Sequence, residues 1–265
     1  MARPDLRGAA LPLLLLVAAE VLMRARGVQS DSLARPSDVI HALGSGLADG
    51  SVMKASLQTL GAAAAGLALG GGLGLLAGLW LGLSQKVEGL VTLTVELLRP
   101  IPSVALIPLA MLVFGFGFRM EIAVVAFTCF WPMLLLTVAA IRQVEPRLLE
   151  VAQVLAFPPA ERVSKIVLPA ALPRMFVALR LSVGIALVVA VTVEIAANPQ
   201  GLGYGLMIAQ QSLRPDLMFA YLLWLGALGW ALSAGLLGLQ RRWFAHSLTE
   251  PEAAAADGLQ PGGRA

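Results

Sequence analysis

Charge is what this sequence has least of. Of its 265 residues only 13% are Asp, Glu, Lys or Arg, against about 25% in an ordinary soluble domain. At 58% hydrophobic, such a chain has too little polar surface to cover its apolar residues in water, and it reads as a polytopic membrane protein. Cysteine is reduced to Cys129, inside the apolar run VVAFTCFWPMLL, which excludes a disulfide framework or a thiolate metal cluster and makes this residue a packing element. The two histidines, His41 and His246, lie in peripheral segments without a second ligand at metal spacing, so both read as surface residues.

Lysine is equally scarce. Lys54, Lys86 and Lys165 are followed by Ala, Val and Ile, so no G-x-x-x-x-G-K-[ST] phosphate loop exists and ATP hydrolysis by that route is excluded. H-E-x-x-H and G-x-S-x-G are absent as well, which removes the ligands or the nucleophile of an intramembrane protease or hydrolase. The expectation is a non-enzyme that binds no cofactor or metal itself. The net charge of +3 does not point to nucleic acid, because the basic residues lie between apolar runs rather than along one stripe.

A bilayer-crossing helix needs about 20 mostly apolar residues. Six candidate spans follow, near 8–23, 59–83, 99–118, 121–141, 174–197 and 217–240. The first could resemble a secretion signal, but Glu20 interrupts the region where a small-residue cleavage site belongs. With the N-terminus inside, 13 of the 19 Lys and Arg fall in the cytoplasm, so the positive-inside bias favours two cytoplasmic termini. Residues 1–58 then form the first span and an extracytoplasmic connector in which VIHALGSGLA suggests a short surface helix. Residues 59–240 form the core, with a cytoplasmic loop over 145–173. The tail, 241–265, lacks apolar periodicity and is expected to be disordered.

Four features within the spans stand out. Gly66, Gly70, Gly74, Gly78 and Gly82 recur every four residues, a small-residue ridge that lets another backbone approach closely in lipid. Pro100, Pro102 and Pro108 remove backbone donors at the head of the third span, which should be bent or begin irregularly. That non-helical backbone suits either protein packing or a water-filled path. Pro132 invites a second kink. Glu20 and Glu194 are the acidic residues counted inside spans; Glu20 is placed at the interface. Glu194, with Thr192 in VVAVTVEIAANP, is either a path residue or a structural hydrogen-bond partner.

The loop LLEVAQVLAFPPAERVSKIVLPAALPR (148–174) is polar between two apolar runs. Pro146 to Leu155 reads as a short amphipathic helix that ends at Phe157-Pro158-Pro159. Pro159 can open a second helix, with Glu161 in its first turn and Lys165 in its last. Pro169 and Pro173 are expected to end that helix and start the fifth span. A lone surface anchor would carry a basic polar face, whereas here Glu145, Glu150 and Glu161 alternate with arginines, which fits a protein partner.

These residues resemble the E-A-A…G…I-x-L-P loop of type I ATP-binding-cassette importer permeases. Glu150 and Ala152 match the E-A-A positions, Val151 replaces the middle alanine, and Leu168-Pro169 match the distal L-P, while Ala156 stands where the family has glycine. RPIPSVALIPLAMLVFGFG, PRLLEVAQVL, ALRLSVGIALVVAVTVEI and GLGYGLMIAQQ are similar to the nitrate/sulfonate/taurine branch, from about residue 56 to 240. The resemblance implies an all-α permease fold of about six transmembrane helices, multi-pass in the inner membrane and surrounded by lipid. It implies a homodimer served by two cytoplasmic ATPase subunits that bind ATP and Mg, and by an extracytoplasmic solute-binding protein. It also implies that Glu150, Val151, Ala152, Ala156, Pro158, Pro159, Arg162, Leu168 and Pro169 couple the loop to the ATPase. The expected cargo is a small anion such as a sulfonate, taurine or nitrate. An ion-coupled secondary transporter or a non-transporting membrane scaffold stands as the alternative; the former predicts charged or broken helices in matching positions of two halves, a pattern the sequence lacks.

Overall fold

The structure is a computed structural model, and it describes residues 7–27 and 30–244. The tail beyond Phe244, with His246, lies outside the described residues. Among those described, every regular element is helical. In chain order they are α1 (Arg7–Ala25), α2 (Pro36–Ala48), α3 (Ser51–Leu83), α4 (Gln85–Leu98), α5 (Ile107–Phe114), α6 (Phe118–Arg142), α7 (Pro146–Val154), α8 (Pro159–Ala196), α9 (Gly201–Gln211) and α10 (Pro215–Trp243).

Four of these, α3, α6, α8 and α10, are long and apolar enough to cross a membrane, and a fifth crossing comes from a bent pair, Gly89–Leu98 with Ser103–Phe114. The first expected span falls on α1, 19 residues long, which is not among those five. Most of its leucines are exposed. The sequence segment VIHALGSGLA lies in α2, opened by Pro36 at a position that needs no donor. Helix α3 begins at Ser51 rather than near 59 and holds a π turn at Leu67–Gly71.

The glycine ridge packs on α6 over its whole length. A Cβ at Gly66 would lie 2.6 Å from Val125; at Gly78, 2.7 Å from the Leu134 carbonyl oxygen; at Gly82, 2.7 Å from Ile141. At Gly70 and Gly74 it would overlap the backbone of Ala126 and Phe130. Both sets of numbers rise together, so α3 and α6 run parallel. The chain between parallel neighbours has to return across the membrane, and the bent pair is therefore a full crossing rather than a re-entrant loop.

That crossing breaks by 80° where a single span over 99–118 was expected. The reason lies in Pro100 and Pro102: each lacks an N–H and disfavours helix in the residue before it, so Arg99 to Pro102 leave the helix and a short 3-10 turn, Ser103–Leu106, precedes α5. Pro108 sits in the first turn of α5, where no donor is needed. Pro132, by contrast, lies inside α6 without interrupting it.

Helices α6 and α8 are antiparallel. Glu121 meets Asn198, the Cys129 thiol meets the Ser182 carbonyl, and the Gln143 carbonyl accepts from Arg174. The main core lies between α3, α5, α6 and α8, with Met120, Val124, Val125, Cys129, Ala190 and Val193 fully or nearly fully buried. A second cluster, including Ile141, Val144, Val167, Ala171 and Met175, seats the 145–173 loop on the ends of α6 and α8.

Pro169 and Pro173 do not end a loop helix, contrary to expectation; α8 runs unbroken from Pro159 to Ala196. A π turn at Val163–Val167 precedes them, in which the Leu168 N–H reaches back five residues to the Val163 carbonyl. At Pro169 the widened turn relieves the ring-to-carbonyl clash by which proline ordinarily breaks a helix, while Pro173 lies farther along α8 without interrupting it. The fifth span and the second loop helix are thus one rigid rod.

Candidate functional site

Opposite ends of the α6–α8 pair carry different chemistry. At one end, α7 follows α6 after a short turn. Its Ala152 is 0% exposed and Leu149 packs on the second cluster, whereas Glu150, Val151, Leu148 and Leu155 face outward and Val154 is 86% exposed. The surface offered is apolar with a carboxylate set in it. The helix ends in a Schellman motif: the Ala156 N–H donates to the Gln153 carbonyl at 2.9 Å and the Phe157 N–H to the Ala152 carbonyl at 3.0 Å. This motif demands a left-handed residue, and Ala156 supplies it with φ 51°. The bend is therefore made at the position where the family has glycine, not by Pro158 and Pro159; an alanine there costs about 1 kcal/mol relative to glycine. Those two prolines are exposed and start α8, where Glu161 pairs with Lys165 at 2.8 Å. The Lys165 ammonium lies 5.4 Å from the Phe157 ring centre. Arg162 and Leu168 are half-buried and Pro169 is exposed.

At the other end the polar groups are inward. Glu194 is 1% exposed. Its carboxylate accepts from the Thr59 hydroxyl at 2.7 Å and from the Gly203 N–H at 2.8 Å, and the Leu202 N–H donates to the Thr59 oxygen at 2.9 Å. The Gly201 N–H donates to Gln58 at 3.2 Å. Glu194 and Thr59 thus cap the first turn of α9 from two other helices, satisfying donors that a helix cannot satisfy itself and placing a carboxylate at the positive end of its dipole. The G-L-G-Y-G run follows from this. Gly201 has φ +88°, and a Cβ on it would strike the Glu194 carboxylate; one on Gly203 would lie 2.8 Å from the Glu194 Cβ and one on Gly205 2.6 Å from the Tyr221 ring.

Glu121 joins the same region, 1% exposed, and accepts from the Asn198 amide at 2.5 Å. Sequence reasoning missed it because it opens the fourth apolar run and looks like a boundary residue; the only available signal was its place at the first turn of a helix. Glu20, the other acid counted within a span, pairs with Arg24 at 2.5 Å and accepts from the Ser37 N–H at 3.1 Å, which fastens α1 to the start of α2.

A third feature is the broken crossing. Two cavities meet at it, of about 540 and 280 Å³. Pro100 borders the first, while Pro102 and Pro108 are exposed nearby. Thr192 is half-buried and donates to its own helix at Val188, so the structure does not unite the proposed path residues: the prolines lie at the break and Glu194 in the capped end. No group of three or more His, Cys, Asp or Glu able to hold a metal occurs among the described residues.

This arrangement of parallel and antiparallel long helices, a broken crossing and a polar loop defines an all-helical, multi-pass membrane protein with the type I ABC importer permease fold. One chain of a solved amino acid ABC transporter superposes with a TM-score of 0.64 at 18% identity, covering 76% of this chain and 97% of that one. Residues 70–245 match the family model described as binding-protein-dependent transport system inner membrane component, and the chain belongs to that family. It is similar to a Bacillus subtilis permease protein named for aliphatic sulfonates transport, with 39% identity over 60% of this chain and 57% of that protein. It is also similar to the taurine transport system permease protein of Escherichia coli, at 31% identity over 64% of this chain and 62% of that one. A bicarbonate transport system permease protein of Synechococcus elongatus is 29% identical over 70% of this chain and 67% of its own length. The match spans less than two thirds of the Bacillus and Escherichia proteins.

Proposed function

We propose that this chain is the membrane permease of an ATP-driven importer for a small anionic solute. It works as a homodimer with two cytoplasmic ATPase subunits, which supply ATP and Mg, and an extracytoplasmic binding protein that does most of the selecting. Both termini are cytoplasmic, and the 145–173 loop lies on that side. The observation that carries the reading is the seating of α7: its inner face is fixed by Ala152 and Leu149 while Glu150, Val151 and Val154 are left outward, on a loop continuous with the two longest-packed spans. A partner that gripped α7 would move α6 and α8 as rods, because the π turn leaves α8 unbroken through Pro169. Coupling follows if the ATPase contacts this loop differently in its two states.

The test is reconstitution with a candidate ATPase and a candidate solute-binding protein. ATP-driven uptake that is lost without the ATPase supports the reading; uptake driven by a proton or sodium gradient alone overturns it in favour of a secondary transporter. ATPase binding without any solute movement would make the chain a scaffold.

A further inference from the structure

The second cavity at the broken crossing has one charge in its lining. It is bordered by Arg99, Ile101, Ser103, Thr128, Trp131 and Pro132 among others, and none of its lining residues is acidic. Arg99 also borders the first cavity, where Glu96 is the only carboxylate. Depth matters here. Helix α6 has 25 residues, about 37 Å at a rise of about 1.5 Å each, and Thr128 and Trp131 lie near its middle. Unwound backbone and an arginine therefore sit well inside the bilayer, where non-helical chain is tolerated when it is buried in protein or lines a watery cavity, and where an ionisable side chain marks a functional site.

The Thr128 hydroxyl donates to the Val124 carbonyl at 2.8 Å, but two other donors around this cavity lack acceptors. No hydrogen bond or ion pair holds Arg99 among the described residues, and the Trp131 indole nitrogen is buried without a partner. Guanidinium is a donor only, so what completes it is an acceptor, and beside a cation it is an anion. Of the acids that would repel one, Glu121 and Glu194 are enclosed in the capped end, and Glu96 borders the first cavity but not this one.

The geometry points to this cavity as an oxyanion-binding site, with Arg99 as its charge, taking a sulfonate or carboxylate-type group small enough for about 280 Å³. The inference deepens the importer reading and rests on it for the cavity's place on a transport path. The flat fork of guanidinium matches two oxygens of such a group at once. Because the recognised feature is the oxyanion alone, the site accepts sulfonates and bicarbonate alike and leaves selection to the binding protein.

The test uses the full chain in lipid nanodiscs, with Ile101→Cys as a reporter on the cavity wall; the native Cys129 is 0% exposed. Its labelling rate by anionic sulfonatoethyl methanethiosulfonate is compared with that by the cationic trimethylammonioethyl reagent. With Arg99 present the anionic reagent is favoured, and the ratio falls about tenfold in Arg99→Gln, since a charge in a low-dielectric cleft concentrates counter-ions by at least that factor. Arg99→Lys keeps most of the preference. An unchanged ratio in Arg99→Gln overturns the inference, and does so without touching the importer reading if ATP-driven uptake persists. A fallen ratio in a chain that shows no ATP-driven uptake upholds the anion site and overturns the importer reading instead.

Discussion

The two ends of the α6–α8 pair solve opposite problems. At the capped end, Glu194, Thr59, Gly203, Glu121 and Asn198 turn polar groups inward and join four helices, with one Glu121 oxygen and the Asn198 amide oxygen left without a partner. At the loop end, α7 turns apolar groups outward, leaves Glu150 in the open, and holds Ala156 in a conformation that alanine resists. Pairing polar groups within a membrane stiffens whatever they join, because an unpaired one costs several kcal/mol there. Exposed apolar surface on a polar loop is unfinished by itself and is completed by a partner. If the chain works as proposed, the difference makes one end the fixed point of a lever and the other its handle.

The contrast can be broken by substitution, and the largest effect is expected in the helix contact that carries both ends. Gly70→Val would force a side chain into the Ala126 backbone, an overlap that no rotamer relieves, so the chain should fail to give a monodisperse peak in fluorescence-detected size exclusion. Next comes the cap. Glu194→Ala leaves the Thr59 hydroxyl and the Gly203 N–H without their shared acceptor and should lower stability by about 2–4 kcal/mol, read as a drop in the thermal unfolding midpoint. Glu194→Gln should fall between this and wild type, since an amide can accept from one donor but presents its own N–H to the other. A wild-type midpoint in both variants would remove the capped end as a fixed point.

Smaller effects belong to the loop. Ala156→Gly should raise stability by up to about 1 kcal/mol, because glycine takes φ > 0 without a Cβ penalty, less the entropy it adds to the unfolded chain; a lowered midpoint would show that the left-handed bend is not held there. Glu150→Ala should shift the midpoint by less than about 0.5 kcal/mol, as surface substitutions do, while weakening co-purification with the ATPase or ATP-driven uptake. If instead it destabilises the chain and leaves uptake unchanged, the handle is not on α7.

Much of this was legible before any coordinates. The glycine spacing foretold a ridge but not its partner, because a period of four says which face is small and nothing about what lies on it. The loop motif was visible as residue types, yet the end of its first helix was read at Phe157-Pro158-Pro159, since alanine in a left-handed turn runs against local propensity and only the two hydrogen bonds that close the Schellman motif show it there. Pro169 and Pro173 read as helix stops because local rules make them so; the π turn that accommodates Pro169 has no sequence signature. Glu121 was passed over as an end residue because its partner, Asn198, is far away in the chain.

By itself the sequence determined four of the crossings, the irregular backbone at Pro100 and Pro102, and the lack of a catalytic phosphate loop. These are properties of short windows, fixed by the transfer of local apolar groups and by missing backbone donors. The tertiary structure alone decided that α3 and α6 run parallel, that Glu194 caps the first turn of α9, and that Arg99 borders cavities beside the middle of α6. Each depends on groups brought together from distant parts of the chain, and in a bilayer it is the pairing or isolation of such groups that sets their free energy.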